Sequence, residues 1–317
     1  MNPKPVPYGE STGPSSHGWH KIESALRCPK EYQFEQVRRV TTPKAQMPDY
    51  FSVGILMHVA KGHWFASQFD TSEKMMKHCA DKVNESALRQ PLPVSGKAIN
   101  DTMRYFAEYV EHYRIRPLPR VIAAEYPIGP ARLVKTDKTG WSKRTARLDD
   151  VSVYPEAQNR LCIGESKTTS SSIQDAVLQY TMHGQPYLQM ALWDLSKKGK
   201  GTHGEVAGVM LDVIVKGYGN SKSKFGRVLI PRPPVETMTW FKQNLSSALE
   251  SMQHVEWDSD VPRNITMCTR MVGRARVQCP YFRLCQYGKP ASGQFVLEGG
   301  HSLLDKTKWG GVVPPWA

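Results

Sequence analysis

The sequence predicts an α/β protein in which helices flank a strand-rich centre on both sides. Three observations predict it. Apolar residues recur at helical spacing through the first third of the 317-residue chain. Between 121 and 168 the pattern changes to short, apolar, partly β-branched segments split by turn residues. After Pro186 the helical spacing returns, interrupted by one further strand pair.

Residues 1–18 are rich in Pro, Gly and Ser and read as a loose arm. A helix is predicted to start at Cys28, because Pro29 suits the first helical position and Tyr32, Gln33, Gln36 and Val37 continue it. Gly54 to Phe69 forms another, with Ile55, Val59, Gly62, Ala66 and Phe69 on one face. A third over 97–114 carries Ile99, Met103, Phe106, Val110 and Tyr113. Val121–Ile128, Thr145–Tyr154 and Leu161–Thr168 read as strands. Pro186 opens a helix running through Leu195; Val206–Val215 and Arg227–Ile230 form a hairpin around Gly217, Gly219 and Asn220. A helix follows the Pro231–Pro234 break, and a basic, cysteine-rich tail closes the chain. One domain over 19–317 is expected, with its core at about 50–255.

The chain carries 42 Lys and Arg against 29 acids, a formal charge of +13. That favours polyanionic partners without identifying one. Six cysteines in a chain this long do not make a small disulfide scaffold. With no secretory signal and no run of 18 apolar residues, a soluble protein in a reducing cytoplasm, with no membrane partner, is expected.

The chemistry concentrates in two neighbouring strands. Asp149 ends one; Glu165-Ser166-Lys167 lies in the next. Mg²⁺ and Mn²⁺ prefer hard oxygen ligands, so Asp149 and Glu165 could share such an ion. Glu165 and Lys167 are two apart, so a strand projects both from one face, where the amine can orient a water or meet charge growing on a phosphate. Ser166 then points into packing. The bland reading is an exposed Glu–Lys pair with Asp149-Asp150 capping a turn, and Asp150 competes with Asp149 as the ligand.

Ala146-Arg147-Leu148-Asp149 followed by Ile163-Gly164-Glu165-Ser166-Lys167-Thr168 resembles the PD-(D/E)XK nuclease superfamily, and within it the RecB-like and Cas4-like exonucleases. Gly54-Ile55-Leu56-Met57-His58 resembles the helix that supplies a metal-binding histidine there. Ala124-Glu125-Tyr126 looks like its first-strand acidic position. Gln189-Met190-Ala191-Leu192-Trp193 is similar to the Gln-x-x-x-Tyr motif, with Trp in place of Tyr; Gln185 is a competing glutamine. The resemblance covers about residues 20–290. It implies a restriction-endonuclease-like core with a central mixed sheet, and Mg²⁺ or Mn²⁺ held by His58, Asp149 and Glu165. It makes Asp149, Glu165, Lys167 and Gln189 catalytic and Glu125 a further site residue.

Cys268 precedes Cys279-Pro-Tyr-Phe-Arg-Leu-Cys285 by eleven residues, and Cys28 lies far upstream. Proline after Cys28 and Cys279 can start a helix and place the thiolate at its N-terminus. The one-plus-three layout resembles the [4Fe–4S] centre of Cas4-like and phage-type nucleases, which implies that segments at about 20–40 and 261–290 are clipped together. It departs from the common Cas4 pattern, in which two residues separate the second and third cysteines; here ten do. A structural Zn²⁺ site or inert buried thiols are the other readings. Cys79 and Cys162 read as core residues.

Residues 261–297 hold Arg263, Arg270, Arg274, Arg276, Arg283 and Lys289 with no acid, and Lys216, Lys222, Lys224 and Arg227 cluster at the hairpin. Arg270, Arg274, Arg276, Lys222 and Lys224 are the expected DNA phosphate contacts. The expected activity is metal-dependent DNA exonuclease action on single strands or free ends, in recombination, repair or phage DNA processing. The site of action is a bacterial or phage-infected cell. The rival is a catalytically silent DNA-binding or CRISPR-adaptation partner of the same fold.

Overall fold

A computed structural model describes residues 18–41, 47–66, 71–114, 116–132, 143–181, 183–196, 203–217, 221–257, 261, 264, 268–272, 275–287 and 294–297. The chain falls into two units. One comprises 1–16, 45–131 and 143–242; the other 17–44, 132–142 and 243–317.

The first unit is built on a five-stranded sheet. Its strands are β2 (Arg120–Arg132), β3 (Lys143–Tyr154), β4 (Arg160–Thr169), β5 (Gly208–Val215) and β6 (Lys224–Pro231), neighbours in that order. β3–β4 and β5–β6 pair antiparallel, and β4–β5 pair parallel with Glu165 opposite Leu211 and Ser166 opposite Asp212. The sheet is therefore mixed, and with its flanking helices this is the α/β fold the sequence predicts. A parallel pair needs a crossover. It is supplied by α6 (Ile173–Thr181) and α7 (Gly184–Leu195).

α3 (Asp49–Ala66), α4 (Ser72–Leu88) and α5 (Gly96–Arg114) pack on one another. Leu56, Ala60, Cys79, Val83, Phe106 and Tyr109 form their shared core. The Ser95 hydroxyl starts α5: it accepts the Ala98 N–H at 3.0 Å and donates to Asp49 at 2.6 Å, tying two helix starts together. α4 and α6 carry no strong motif and were not anticipated from sequence. Phe69, the expected end of α3, lies outside the described residues.

The second unit begins with α1 (Trp19–Arg27); Gly18, placed in the loose arm by the sequence reading, is buried as its cap. Cys28 caps α2 (Pro29–Tyr32), as the Cys-Pro step predicts, and a π turn continues it over Gln33–Val37. β1 (Val40–Thr41) pairs with β9 (Val296–Leu297), and β7 (Thr269–Val272) with β8 (Ala275–Gln278). Phe34, Val40, Tyr281, Leu284 and Phe295 make its core, with Cys279 and Cys285 packed against it. The boundary between the units at 242/243 falls inside α8 (Val235–Gln253), and α9 (Phe282–Tyr287) follows β8. No helix among the described residues is long and apolar enough to cross a membrane.

Candidate metal centre

β3 and β4 pair from Tyr154–Arg160 up to Asp150–Gly164, and there the ladder ends. Beyond it the Asp149 carboxylate turns to accept the Ser166 backbone N–H at 2.6 Å. Adjacent residues of a strand face opposite ways. Asp150 accordingly lies on the other side, buried, accepting hydroxyls from Ser152 at 2.5 Å and Tyr154 at 2.8 Å. Register thus separates the two aspartates that sequence left in competition.

α3 brings His58 to the same place, its Nδ1 3.2 Å from Asp149 Oδ2. β2 brings Glu125, whose backbone takes the left-handed φ of 48°. A non-glycine residue held there costs of order 1 kcal/mol, and such strain collects at sites over-determined by their surroundings. His58, Glu125 and Asp149 present ligand atoms all within 4.8 Å of one another. Arg147 Nε is 4.0 Å from Glu125 Oε2, so Glu125 carries an ion pair as well as its place in the group.

Electrostatics in this group follow from charge crowding. Burial would lower the His58 pKa, but Asp149, Glu125 and Glu165 outweigh it and push it up to about 9. Burial and then the Asp149 charge push Glu125 up to about 8, against His58 and Arg147. Burial would also raise Asp149; His58, the Ser166 N–H and Lys167 hold it below the usual carboxylate range. Two carboxylates and an imidazole crowded this closely are a donor set a hard divalent cation satisfies.

Glu165 is buried and its charge helps raise both His58 and Glu125, but it is not one of the three residues whose ligand atoms come together. Its carboxylate accepts Gln185 Nε2 at 3.0 Å and Gln189 Nε2 at 2.6 Å, both from α7, and Lys167 Nζ lies 2.7 Å from Oε1. Both glutamines that competed in the sequence reading therefore hold the same carboxylate. Trp193, in the place of the motif's tyrosine, is buried and donates its indole N–H to the Gly204 carbonyl at 2.8 Å. Tyr180 was not foreseen. It is buried from α6, with the Lys167 ammonium 5.0 Å from its ring centroid and the Glu165 charge near enough to raise its pKa after burial has done so. Nothing in its sequence neighbourhood marks it.

On the opposite face Lys61, one turn beyond His58, donates to Ser166 Oγ and to Asp212 at 2.6 Å. Ser166 packs inward as expected, and its hydroxyl is held from below while its N–H holds Asp149.

A family model described as the PD-(D/E)XK nuclease superfamily matches residues 19–286. The chain belongs to the PD-(D/E)XK nuclease superfamily. No curated protein matches it. Membership implies a metal-dependent nuclease acting on nucleic acid, and the mixed sheet flanked by helices is the superfamily's architecture.

The four cysteines of the expected cluster all fall in the second unit. Cys28 Sγ accepts the Asn264 N–H at 3.5 Å, and the Cys279 N–H bonds the Cys268 carbonyl at 2.8 Å. Burial pushes the Cys279 thiol up to about 11 and Cys285 up to about 12, with further upward pushes from the other cysteines. Among the described residues the cysteines form no group of converging ligands of the kind that His58, Glu125 and Asp149 make, so their placement supports neither the expected [4Fe–4S] centre nor the alternative Zn²⁺ site. Cys79 and Cys162 are buried, as predicted. Lys222 and Lys224 are exposed. Arg274 lies outside the described residues, as do the side chains of Arg270 and Arg276.

Proposed function

We propose that this chain is a Mg²⁺- or Mn²⁺-dependent DNA exonuclease, RecB-like or Cas4-like in kind, serving recombination, repair or phage DNA processing. One observation carries the reading: the His58–Glu125–Asp149 group feels the charge of a buried Glu165 that holds the Lys167 ammonium at 2.7 Å. His58 and Asp149, joined by Glu165, would hold the cation, with Glu125 as a further donor. A bound divalent cation there supplies Lewis-acid polarisation of the phosphate and eases ionisation of water.

The residues do the rest. Gln185 and Gln189 fix the direction of the two Glu165 oxygens. The Ser166 N–H fixes Asp149. Lys167, anchored to Glu165 and set against the Tyr180 ring, orients the attacking water and donates to the oxygen on which negative charge grows. Lys222 and Lys224, with Arg270, Arg274 and Arg276, are the proposed phosphate contacts.

The [4Fe–4S] assignment to Cys28, Cys268, Cys279 and Cys285 rests on the resemblance and on the mutual electrostatic influence of these thiols. Iron and sulfide analysis after anaerobic purification tests it.

The nuclease reading is tested by digesting end-labelled single- and double-stranded DNA with and without Mn²⁺. Asp149→Ala and Lys167→Ala are each expected to lose roughly a hundredfold or more in rate. Full activity in either variant removes the mechanism. DNA that is bound but left whole by the parent protein supports the silent partner instead.

A further inference from the structure

The catalytic strand does not end at the metal centre. Past Lys167, β4 runs to Thr169 and opens into Ser170-Ser171-Ser172, one wall of a cavity of about 410 Å³. The other wall is the end of β5 and the start of β6, with Lys216, Lys222 and Lys224. The Lys216 N–H bonds the Thr169 carbonyl at 2.8 Å, so the parallel ladder itself joins the walls. In open α/β sheets the carboxyl ends of parallel strands are where ligands find a crevice.

Lys216, Lys222 and Lys224 and the hydroxyls of Ser170, Ser171, Ser172 and Ser221 line it together with the apolar Ile173 and Val215, and no acid is among the lining residues. None of the three ammonium groups forms an ion pair among the described residues. Two acids touch the walls without pairing with a lysine: Asp175 accepts the Ser172 hydroxyl at 2.8 Å at the start of α6, and Glu108 accepts the Ser223 N–H at 2.9 Å. Gly217 holds the loop tight, since a Cβ there would meet the Ser221 carbonyl oxygen at 2.1 Å. Three lysines lining one cavity without an ion pair leave it positive, and a polyanion is attracted to such a place.

Two rulers give the distance from this cavity to the metal centre. Five residues of strand from Glu165 to Ser170 span about 16 Å at about 3.3 Å each. Eight residues of α6 from Ser172 to Tyr180, which sits against Lys167, span about 12 Å at 1.5 Å each. A stacked nucleic-acid strand rises about 3.4 Å per nucleotide, so the strand ruler amounts to about five nucleotides and the helix ruler to about three or four, with about four between them.

We propose that this cavity is a phosphate subsite, holding the DNA backbone about four nucleotides from the bond being cut. The assignment deepens the nuclease reading and rests on it. The subsite fixes how far the strand must extend past the metal centre to bind well, so it sets a minimum productive substrate length.

The test is fluorescence anisotropy of end-labelled oligothymidylates from two to twelve nucleotides on the full chain, with calcium in place of magnesium. For the parent, affinity is expected to rise about tenfold between three and six nucleotides. Lys222→Glu with Lys224→Glu is expected to remove that step. The same pair is expected to lower the slope of log K against log salt by about 1.4, for two contacts at about 0.7 each. Ser170→Glu, which puts a carboxylate into the wall without touching a lysine, is expected to remove the step as well. A step that survives in both variants overturns the subsite. Failure of the parent to hydrolyse the twelve-mer in Mn²⁺ defeats the nuclease reading instead, a result on which the anisotropy series does not depend.

Discussion

Lys61→Met cuts a buried charge pair that links α3 to the sheet beneath the metal centre. Lys61 Nζ lies 2.6 Å from Asp212 Oδ2, and both side chains are 3% exposed. Methionine keeps most of the unbranched apolar stem and removes the charged amine. Asp212 then retains the Tyr109 hydroxyl and Arg227, whose Nε is 3.5 Å away. Removing one partner of a buried pair costs about 3–5 kcal/mol, and this residual compensation argues for the lower end, about 3 kcal/mol. In a chain of this size each kcal/mol moves Tm by about 2–4 °C, so a fall of about 6–12 °C is expected. Thermal and chemical unfolding of Lys61→Met, Asp212→Asn and the double variant form a cycle, with a coupling of about 1–3 kcal/mol expected for groups in contact. Because Lys61 also holds Ser166 Oγ, the affinity for Mn²⁺ should fall with it. A loss below about 1 kcal/mol, or strict additivity in the cycle, would refute the reasoning.

Gly164→Ala would place a Cβ 1.9 Å from Asp150 Oδ2 and 2.3 Å from its Cγ, where Ser152 and Tyr154 hold the carboxylate. Overpacking of this kind costs about 1–3 kcal/mol, so a clear fall in the denaturation midpoint is expected; an unchanged midpoint would mean Asp150 is free to move. His63 has its pKa lowered to about 4 by burial, then by His78 and Lys82. The unfolded chain therefore binds the proton more readily between pH 6.5 and 4. Stability is full above about 6.5 and lost as pH falls toward 4, by about 1 kcal/mol once solvent screening of this partly exposed ring is allowed for. His63→Gln should flatten that part of the stability–pH curve, and an identical curve in the variant would remove His63 as the cause.

The Glu165–Lys167 arrangement was legible because a period of two is written into any strand. Spacing alone put both side chains on one face, and their 2.7 Å contact follows. The Cys28-Pro29 helix start was legible for a similar reason: Pro fixes its own φ and needs no partner. The choice between Asp149 and Asp150 was not, because it depends on where the β3–β4 ladder stops, and a shift of one residue exchanges their faces. Tyr180 and Lys61 left no sequence signal for a different reason. Tyr180 sits near the far end of a short helix whose one local mark, the Ser172-x-x-Asp175 cap, lies at its start, and the Lys61 partner is 151 residues away.

By itself, the order of residues determined the α/β class, the strand that carries the acid and the amine, and the superfamily these imply. The class and the strand come from spacings of two to four residues, which local geometry reads directly; the superfamily comes from the resemblance of the motifs at 146–149 and 163–168. Tertiary structure alone decided that both Gln185 and Gln189 clamp Glu165, that Trp193 supports the fold, and that a lysine-lined cavity continues the catalytic strand. Each of those depends on which distant segments meet, and that is set by burial and register over the whole chain.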